Sequence, residues 1–148
     1  MELGAALLTI IDTSAKVASV LFQYASEVKN AKDDIWRLQR EVGGIHSISE
    51  NVQTLLQSPR GCELRASREL LLALNDGFLQ LEQLQQMTEP KKAQAAVKRF
   101  GARSLKWPLT SKDVEKAVRE LVRCMQAISL ALQVDHTYVL WYIGTVTS

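Results

Sequence analysis

Hydrophobic residues recur along most of this chain at steps of three and four, the spacing of one face of an α-helix. The first such segment covers residues 3–28 and contains only three charged residues, Asp12, Lys16 and Glu27. A helix of that length extends for about 40 Å, enough to pass through the middle of a small bundle or to cross a bilayer. The pattern therefore predicts a first helix that is covered either by protein or by lipid.

The second helix is predicted to begin at Asn30, which fits an N-cap with Asp33 three residues later. Its apolar positions continue with the same spacing as far as Leu55. Gly43 and Gly44 lie in its middle, where each glycine costs about 1 kcal/mol relative to alanine. The two glycines indicate a kink or a close contact with another helix.

A third helix is predicted to end before Pro90, and a short helix over about residues 91–103 follows it. Thr110 and Asp113 match a capping box at the start of a fourth long helix. Only residues 138–146 are rich enough in β-branched and aromatic side chains to suit a strand as well.

Together these patterns predict an all-α fold, a helical bundle of four long helices plus one short helix. A chain of 148 residues with 47% apolar and 23% charged residues suits one ordinary domain with a single core. We place that domain at residues 1–142. Residues 143–148 are expected to form a C-terminal tail or the start of a linker.

The charge of the chain is unevenly distributed, although the net charge is only +2. Residues 91–123 hold ten basic and three acidic residues, and the part from 91 to 106 has no acidic residue at all. Its basic residues are Lys91, Lys92, Lys98, Arg99, Arg103 and Lys106. If these side chains share one face, they predict attraction to an anionic partner, and the alternative is a solvated basic surface.

Residues that could carry chemistry are sparse. The sequence has no phosphate-binding loop, dinucleotide motif or zinc-ligand pattern. Cys62 and Cys124 lack the spacing of a redox or metal pair, and His46 and His136 are isolated. We therefore expect no enzyme, no cofactor and no metal. Phe100 and Trp107 are better explained as core anchors than as base-stacking residues, so we also expect no nucleic-acid partner.

Three stretches of this sequence carry a family resemblance: residues 24–35, residues 102–116 and residues 129–135. The second contains Leu-Lys-Trp-Pro ahead of a long helix, and the third ends in Leu-Gln-Val-Asp. In these features the chain resembles, over nearly its whole length, the N-terminal domain of fungal STAND proteins, the NLR-like receptors, and within them the HeLo-like domains. The motif residues are Leu105, Trp107, Pro108 and Asp135.

The resemblance implies a cell-death effector of a fungal innate-immunity or heterokaryon-incompatibility system. Such a bundle is cytoplasmic, self-associates when an NLR-type receptor module in cis or in trans clusters it, and then moves to the plasma membrane. Combined with the apolar first helix, this implies a pore-forming domain whose inserting residues are Leu3, Leu7, Leu8, Ile10 and Ile11. The six basic residues of positions 91–106 would hold anionic lipid headgroups. Asp12 and Lys16, one turn apart, would pair within the helix or line a polar pore.

The chain departs from the family pattern in one respect. It stops at Ser148 without the ATPase domain, repeats or amyloid-like tail that usually switch such a domain, so we expect an excised fragment or a separate adaptor. If the first helix never leaves the core, the alternative is a soluble homotypic interaction module without membrane activity. Whether residues 3–11 can become exposed discriminates between the two functions.

Overall fold

A computed structural model describes residues 2–59, 61, 64, 67–89 and 106–147, with side chains described as far as Gln133. These residues form four long helices and no strand: α1 (Leu3–Glu27), α2 (Lys32–Leu56), α3 (Arg68–Thr88) and α4 (Ser111–Thr147). The all-α, four-helix prediction is confirmed, and residues 138–146 are helical. The short helix expected near residues 91–103 lies outside the described residues.

The four helices form a closed ring of neighbours. α1 packs against α2 and α3, and α4 packs against the other side of the same two helices. Every helix therefore turns one stripe of apolar side chains inward, and burial of each large one stabilises the fold by about 2 kcal/mol. The largest fully buried side chains come from all four helices: Leu7, Ile10, Leu21, Tyr24, Ile35, Leu38, Ile45, Leu70, Leu74, Leu81, Leu121 and Ile128.

The start of α2 differs from the sequence-based expectation. Asn30 is not its N-cap, because the helix begins after Ala31, and no side chain caps it. Two carboxylates in the first turn, Asp33 and Asp34, interact favourably with the helix dipole instead. Asp34 also accepts a hydrogen bond of 3.1 Å from the Ser111 hydroxyl at the start of α4. This hydrogen bond joins the starts of α2 and α4 but caps no backbone N–H of α2.

The capping box at the start of α4 is confirmed. The backbone N–H of Thr110 donates to Asp113 Oδ2 at 3.0 Å, and the N–H of Asp113 donates to Thr110 Oγ1 at 3.1 Å. The hydrogen bond from the Thr110 backbone is the main reason why the pKa of Asp113 lies below its usual value. Each residue therefore satisfies a backbone donor of the other at this helix end.

Gly44 marks a close contact between α2 and α4. A Cβ atom at this position would lie 2.7 Å from the Met125 sulfur, whereas a Cβ atom at Gly43 would meet nothing within 4 Å. α2 continues through both glycines to Leu56. The close helix contact predicted from the glycine pair is thus present at Gly44.

Ser49 on α2 is fully buried and its hydroxyl has no hydrogen-bond partner. We expect Ser49→Ala to raise the free energy of unfolding by about 1.5 kcal/mol, because it removes an unpaired polar group and improves helix propensity. Urea denaturation measures the change. Ser47→Ala is the matched control, since Ser47 is exposed on the same helix and should gain only the propensity term of about 0.5 kcal/mol. Equal gains at both positions would contradict the burial penalty.

Candidate membrane-interaction site

The structure divides the five residues expected to insert into a membrane. Leu3, Leu7 and Ile10 are buried in the core, Ile11 is partly buried, and Leu8 is 60% exposed. α1 is long and apolar enough to cross a membrane, with a mean hydropathy of 1.6 over its most apolar stretch. In the bundle 39% of that stretch is buried, and a core helix of a soluble protein passes the same test of length and composition. Length and composition therefore do not distinguish a membrane-spanning helix from a core helix of a soluble protein.

Among the described residues of α1, Ser14 is the first whose side chain hydrogen-bonds to another helix. The hydroxyl of Ser14 lies 2.9 Å from His46 Nδ1 on α2, and the Tyr24 hydroxyl donates to the Thr88 carbonyl on α3 at 2.8 Å. Before Ser14, the described side chains of α1 make no hydrogen bond to another helix. The first eleven residues of α1 are therefore held by apolar packing alone.

Ser14, His46 and Glu50 form a continuous polar chain. His46 Nε2 lies 2.9 Å from Glu50 Oε1, while Ser14 Oγ also lies 3.0 Å from the carbonyl oxygen of Ile11. A hydroxyl, imidazole and carboxylate in this order are reminiscent of a nucleophile and its base. However, Ser14 has no exposed surface, so a substrate cannot reach it in this structure. We interpret the chain as a polar link between α1 and α2.

At the opposite end of α1, Tyr24 joins three parts of the fold. It is fully buried, and its ring meets that of Trp107 edge-on, with 5.1 Å between the ring centroids and an interplanar angle of 80°. The prediction that Trp107 is a core anchor is thereby confirmed, whereas Pro108 is exposed and Phe100 lies outside the described residues. Leu105 lies outside the described residues, and Asp135 lies on α4 beyond the described side chains.

Of the six basic residues assigned to lipid binding, Lys106 is described and is exposed. It lies beside the α1–α2 turn, where it lines a cleft with residues 27–31 and Trp107. The other five are outside the described residues: Lys91, Lys92, Lys98, Arg99 and Arg103. Thr88 and Trp107, which flank the basic segment on either side, both contact Tyr24. The described residues on either side of the segment therefore lie at the C-terminal end of α1.

The structure places the inserting residues and the described flanks of the basic segment at different ends of the bundle. Leu7 and Leu8 line a cleft with Gln53 and Leu56 at the far end of α2. Along α1, Leu7 and Tyr24 are about 25 Å apart. A membrane contact that involves both regions needs the bundle to lie on its side or α1 to move.

Asp12 and Lys16 pair within α1, as their spacing predicts. The Lys16 ammonium lies 2.9 Å from Asp12 Oδ2, and both side chains are more than 60% exposed. Such an exposed pair contributes little to stability, about 0.3–0.5 kcal/mol. Its main effect is that the outer face of α1 carries two opposite charges that neutralise each other.

Cys124, the cysteine among the described residues, is unreactive at neutral pH. The Cys124 thiol is buried and donates to Asp76 Oδ2 at 3.4 Å, and burial followed by the Asp76 charge raises its pKa to about 12. At neutral pH it is a thiol and not a nucleophilic thiolate. Cys62 lies outside the described residues. Within the described part of the chain, no group of three or more potential ligand side chains is placed to hold a metal ion.

Comparison with known proteins yields no relative for this chain. No protein-family model matches the sequence, and no curated protein and no solved structure matches it either. The resemblance to HeLo-like domains therefore stays a prediction from the sequence motifs.

Proposed function

We propose that this chain is a membrane-targeting, pore-forming effector domain of the HeLo-like type. In the proposal, a receptor module of the fungal NLR-like class clusters the cytoplasmic bundle, which then acts as a homo-oligomer on the plasma membrane and causes cell death. The observation that carries the proposal is the division of α1: its N-terminal part is apolar and lacks polar ties, while its C-terminal part is fixed by Tyr24.

This division of α1 defines which part of the helix can leave the bundle. Apolar side chains such as Leu7 and Ile10 exchange a protein interior for lipid tails of similar polarity, so their transfer costs little. A first step that stops at Ser14 frees a segment of about 16 Å, which reaches one leaflet. Breaking the link between Ser14 and His46 would extend the free segment to Gln23, about 30 Å, which matches the hydrocarbon thickness of a bilayer.

The basic segment supplies the attraction in this proposal. Each lysine or arginine near an anionic surface contributes about 1 kcal/mol, so the six residues of positions 91–106 provide reversible binding before insertion. We propose that a short helix over residues 91–103 presents them. The pair of Asp12 and Lys16 would lower the cost of inserting two charges or face neighbouring subunits around a pore.

Dye leakage from phosphatidylserine-containing vesicles tests the proposal. The chain carries a carboxyl-terminal His tag and is clustered on a small fraction of nickel-chelating lipid. We expect the unmodified chain to release dye and Leu8→Asp to slow release at least tenfold, because an aspartate in the bilayer costs about 3 kcal/mol. Leu8 is the suitable position, since a charge at the buried Leu7 would unfold the bundle.

Leu72→Asp is the matched control, because Leu72 lies on α3 and is 59% exposed, against 60% for Leu8. It should leak like the unmodified chain, and circular dichroism should show equal helix content in both variants. Equal leakage from both variants, or no leakage from the clustered unmodified chain, would contradict the proposal.

A soluble homotypic interaction module is the second candidate, and the complete burial of Leu7 and Ile10 favours it. In that case α1 stays in the core, and the bundle pairs with similar domains through its helix faces. Self-association in solution without vesicle leakage would support this function.

A further inference from the structure

Two aromatic side chains stand out on the surface of the bundle. Phe22 on α1 is 68% exposed and Trp36 on α2 is 67% exposed, the highest values among the exposed large apolar side chains of the described residues. Aromatic rings of this size normally contribute to a core or an interface. Neither ring is needed for the four-helix core, since both point away from it.

Helix geometry puts these two rings on the same side of the molecule. The contact between Ser14 and His46 fixes the register of α1 against α2. Phe22 lies eight residues after Ser14 and Trp36 ten residues before His46, about 12 and 15 Å in the same direction along two antiparallel helices. Both steps also turn the side chain by about 80° toward the outer side of the groove between the helices. Phe22 and Trp36 therefore flank one outer face.

The same face continues along α1 toward its N-terminus. Leu8, Ala15 and Phe22 are exposed and are spaced by seven residues, which keeps them nearly in line, with a drift of about 20° per step. The apolar line is about 21 Å long. Charged residues near this line are Asp12 and Lys16, which pair with each other, and Glu50 on α2, which lies 2.9 Å from His46 Nε2.

Positive charge borders the aromatic end of this face. Lys32 and Arg40 lie four residues before and after Trp36, so all three share one stripe of α2, and all three are exposed. Neither basic residue forms an ion pair with a described residue. Thr88 and Trp107, which flank the basic segment of residues 91–106 in the sequence, contact Tyr24 at this end of the bundle.

We propose that this outer face of α1 and α2 docks the still-folded bundle, on its side, onto an anionic lipid bilayer. The proposal deepens the proposed membrane function and rests on it. Tryptophan beside basic residues is the arrangement of a membrane-interface anchor, because the ring enters the headgroup region while the charges meet anionic lipid. Lys32 and Arg40, which form no ion pair with a described residue, complement an anionic lipid surface and favour it as the occupant of this face.

Side-on docking also brings the N-terminal part of α1 to the bilayer. With α1 parallel to the bilayer, the apolar line from Leu8 to Phe22 rests on the lipid surface. Leu8 then touches the membrane before any helix is released. The face is thus the first contact, and release of α1 is a later step.

Co-sedimentation of the untagged chain with vesicles of phosphatidylcholine and phosphatidylserine tests the docking face. Phe22→Ser/Trp36→Ser should weaken vesicle partitioning at least tenfold, since it removes two large apolar anchors. Lys32→Gln/Arg40→Gln should weaken it about thirtyfold at low salt and reduce its salt dependence. Leu72→Ser/Leu79→Ser is the control, because both leucines are more than 50% exposed on α3. It should bind as the unmodified chain does.

Three results would overturn the docking proposal: unchanged binding of the Phe22/Trp36 variant, an equal loss in the α3 control, or absence of vesicle binding. If light scattering shows a dimer that the Phe22/Trp36 variant abolishes and vesicles do not bind, the face belongs to a second copy. Binding that depends on Phe22 and Trp36 but produces no leakage when clustered would support docking and contradict insertion. Leakage from the clustered chain, together with vesicle binding that does not depend on Phe22 and Trp36, would support insertion and contradict docking.

Discussion

Replacing Tyr24 by alanine should lower the free energy of unfolding by about 4 kcal/mol, the cost of emptying the site of a large aromatic side chain in a core. The side chain is fully buried, donates to the Thr88 carbonyl and meets the Trp107 ring edge-on. It joins α1, α3 and the loop before α4 at one point. Small domains are stable by only about 5–15 kcal/mol. A loss of about 4 kcal/mol is a third or more of the unfolding free energy of any domain with a stability of up to about 12 kcal/mol.

Tyr24→Phe separates the hydroxyl from the ring. We expect it to cost about 1–1.5 kcal/mol, because the buried Thr88 carbonyl loses its donor while the ring packing stays. Burial raises the pKa of Tyr24, so the phenol keeps its proton and remains a donor at neutral pH.

Urea denaturation monitored by circular dichroism measures both Tyr24 variants. Phe22→Ala is the matched control, because Phe22 lies two residues away on the exposed side of α1 and should cost less than about 0.5 kcal/mol. A cost for Tyr24→Ala no larger than that for Tyr24→Phe would contradict the account of this anchor.

The helical framework followed from local patterns, because those patterns report local physics. The spacing of Leu70, Leu74 and Leu81 predicted a helix, and all three side chains are fully buried on the inner face of α3. The reciprocal hydrogen bonds of Thr110 and Asp113 involve residues three apart, so their sequence spacing was sufficient to predict them.

Features that depend on distant residues did not follow from such patterns. At the start of α2, Asp34 accepts from the Ser111 hydroxyl, which is 77 residues away, so no local pattern could predict this contact. His46 carried no signal because its partner Ser14 is 32 residues away on another helix. Local spacing holds no information about which helix faces meet.

The membrane-interaction site was also predictable only in part from local sequence patterns. Leu7 and Leu8 are adjacent and equally apolar, yet one is fully buried and the other is mostly exposed. Helical phase could have separated them once the core-facing side of α1 was chosen. The distance of about 25 Å between Leu7 and Tyr24 along α1, and hence from the flanks of the basic segment, needed the packed bundle.

A covalent tether that holds the N-terminal end of α1 on α2 should abolish leakage. Gly4 and Gln57 line the same cleft between the two helices, and a Cβ atom at Gly4 would meet nothing closer than Glu2 Oε1 at 3.7 Å. The design is a Gly4→Cys/Gln57→Cys pair in a Cys62→Ser background; no Gln57 atom lies within 4 Å of a Cβ atom at Gly4, so the two helix ends must approach slightly for the disulfide to form. Cys124 does not interfere, because it is buried and its pKa of about 12 keeps it protonated.

The effect of the tether should be large, because a released segment that stays linked at residue 4 cannot enter the bilayer. The stability of the bundle should rise at the same time, since the disulfide constrains the unfolded chain, typically by about 2–4 kcal/mol. The control is Gln83→Cys/Lys116→Cys in the same background, which joins α3 and α4 across their own cleft. It stabilises the bundle without holding α1.

Release of α1 is the central claim, and the direct measurement is the rate of dye leakage from vesicles carrying the clustered Gly4→Cys/Gln57→Cys chain, before and after reduction. Mass spectrometry establishes that the disulfide is formed. We predict no leakage from the oxidised chain, recovery to the unmodified rate on reduction, and full leakage from the oxidised α3–α4 control. Undiminished leakage while the tether is intact would show that α1 stays in the bundle and would contradict the account.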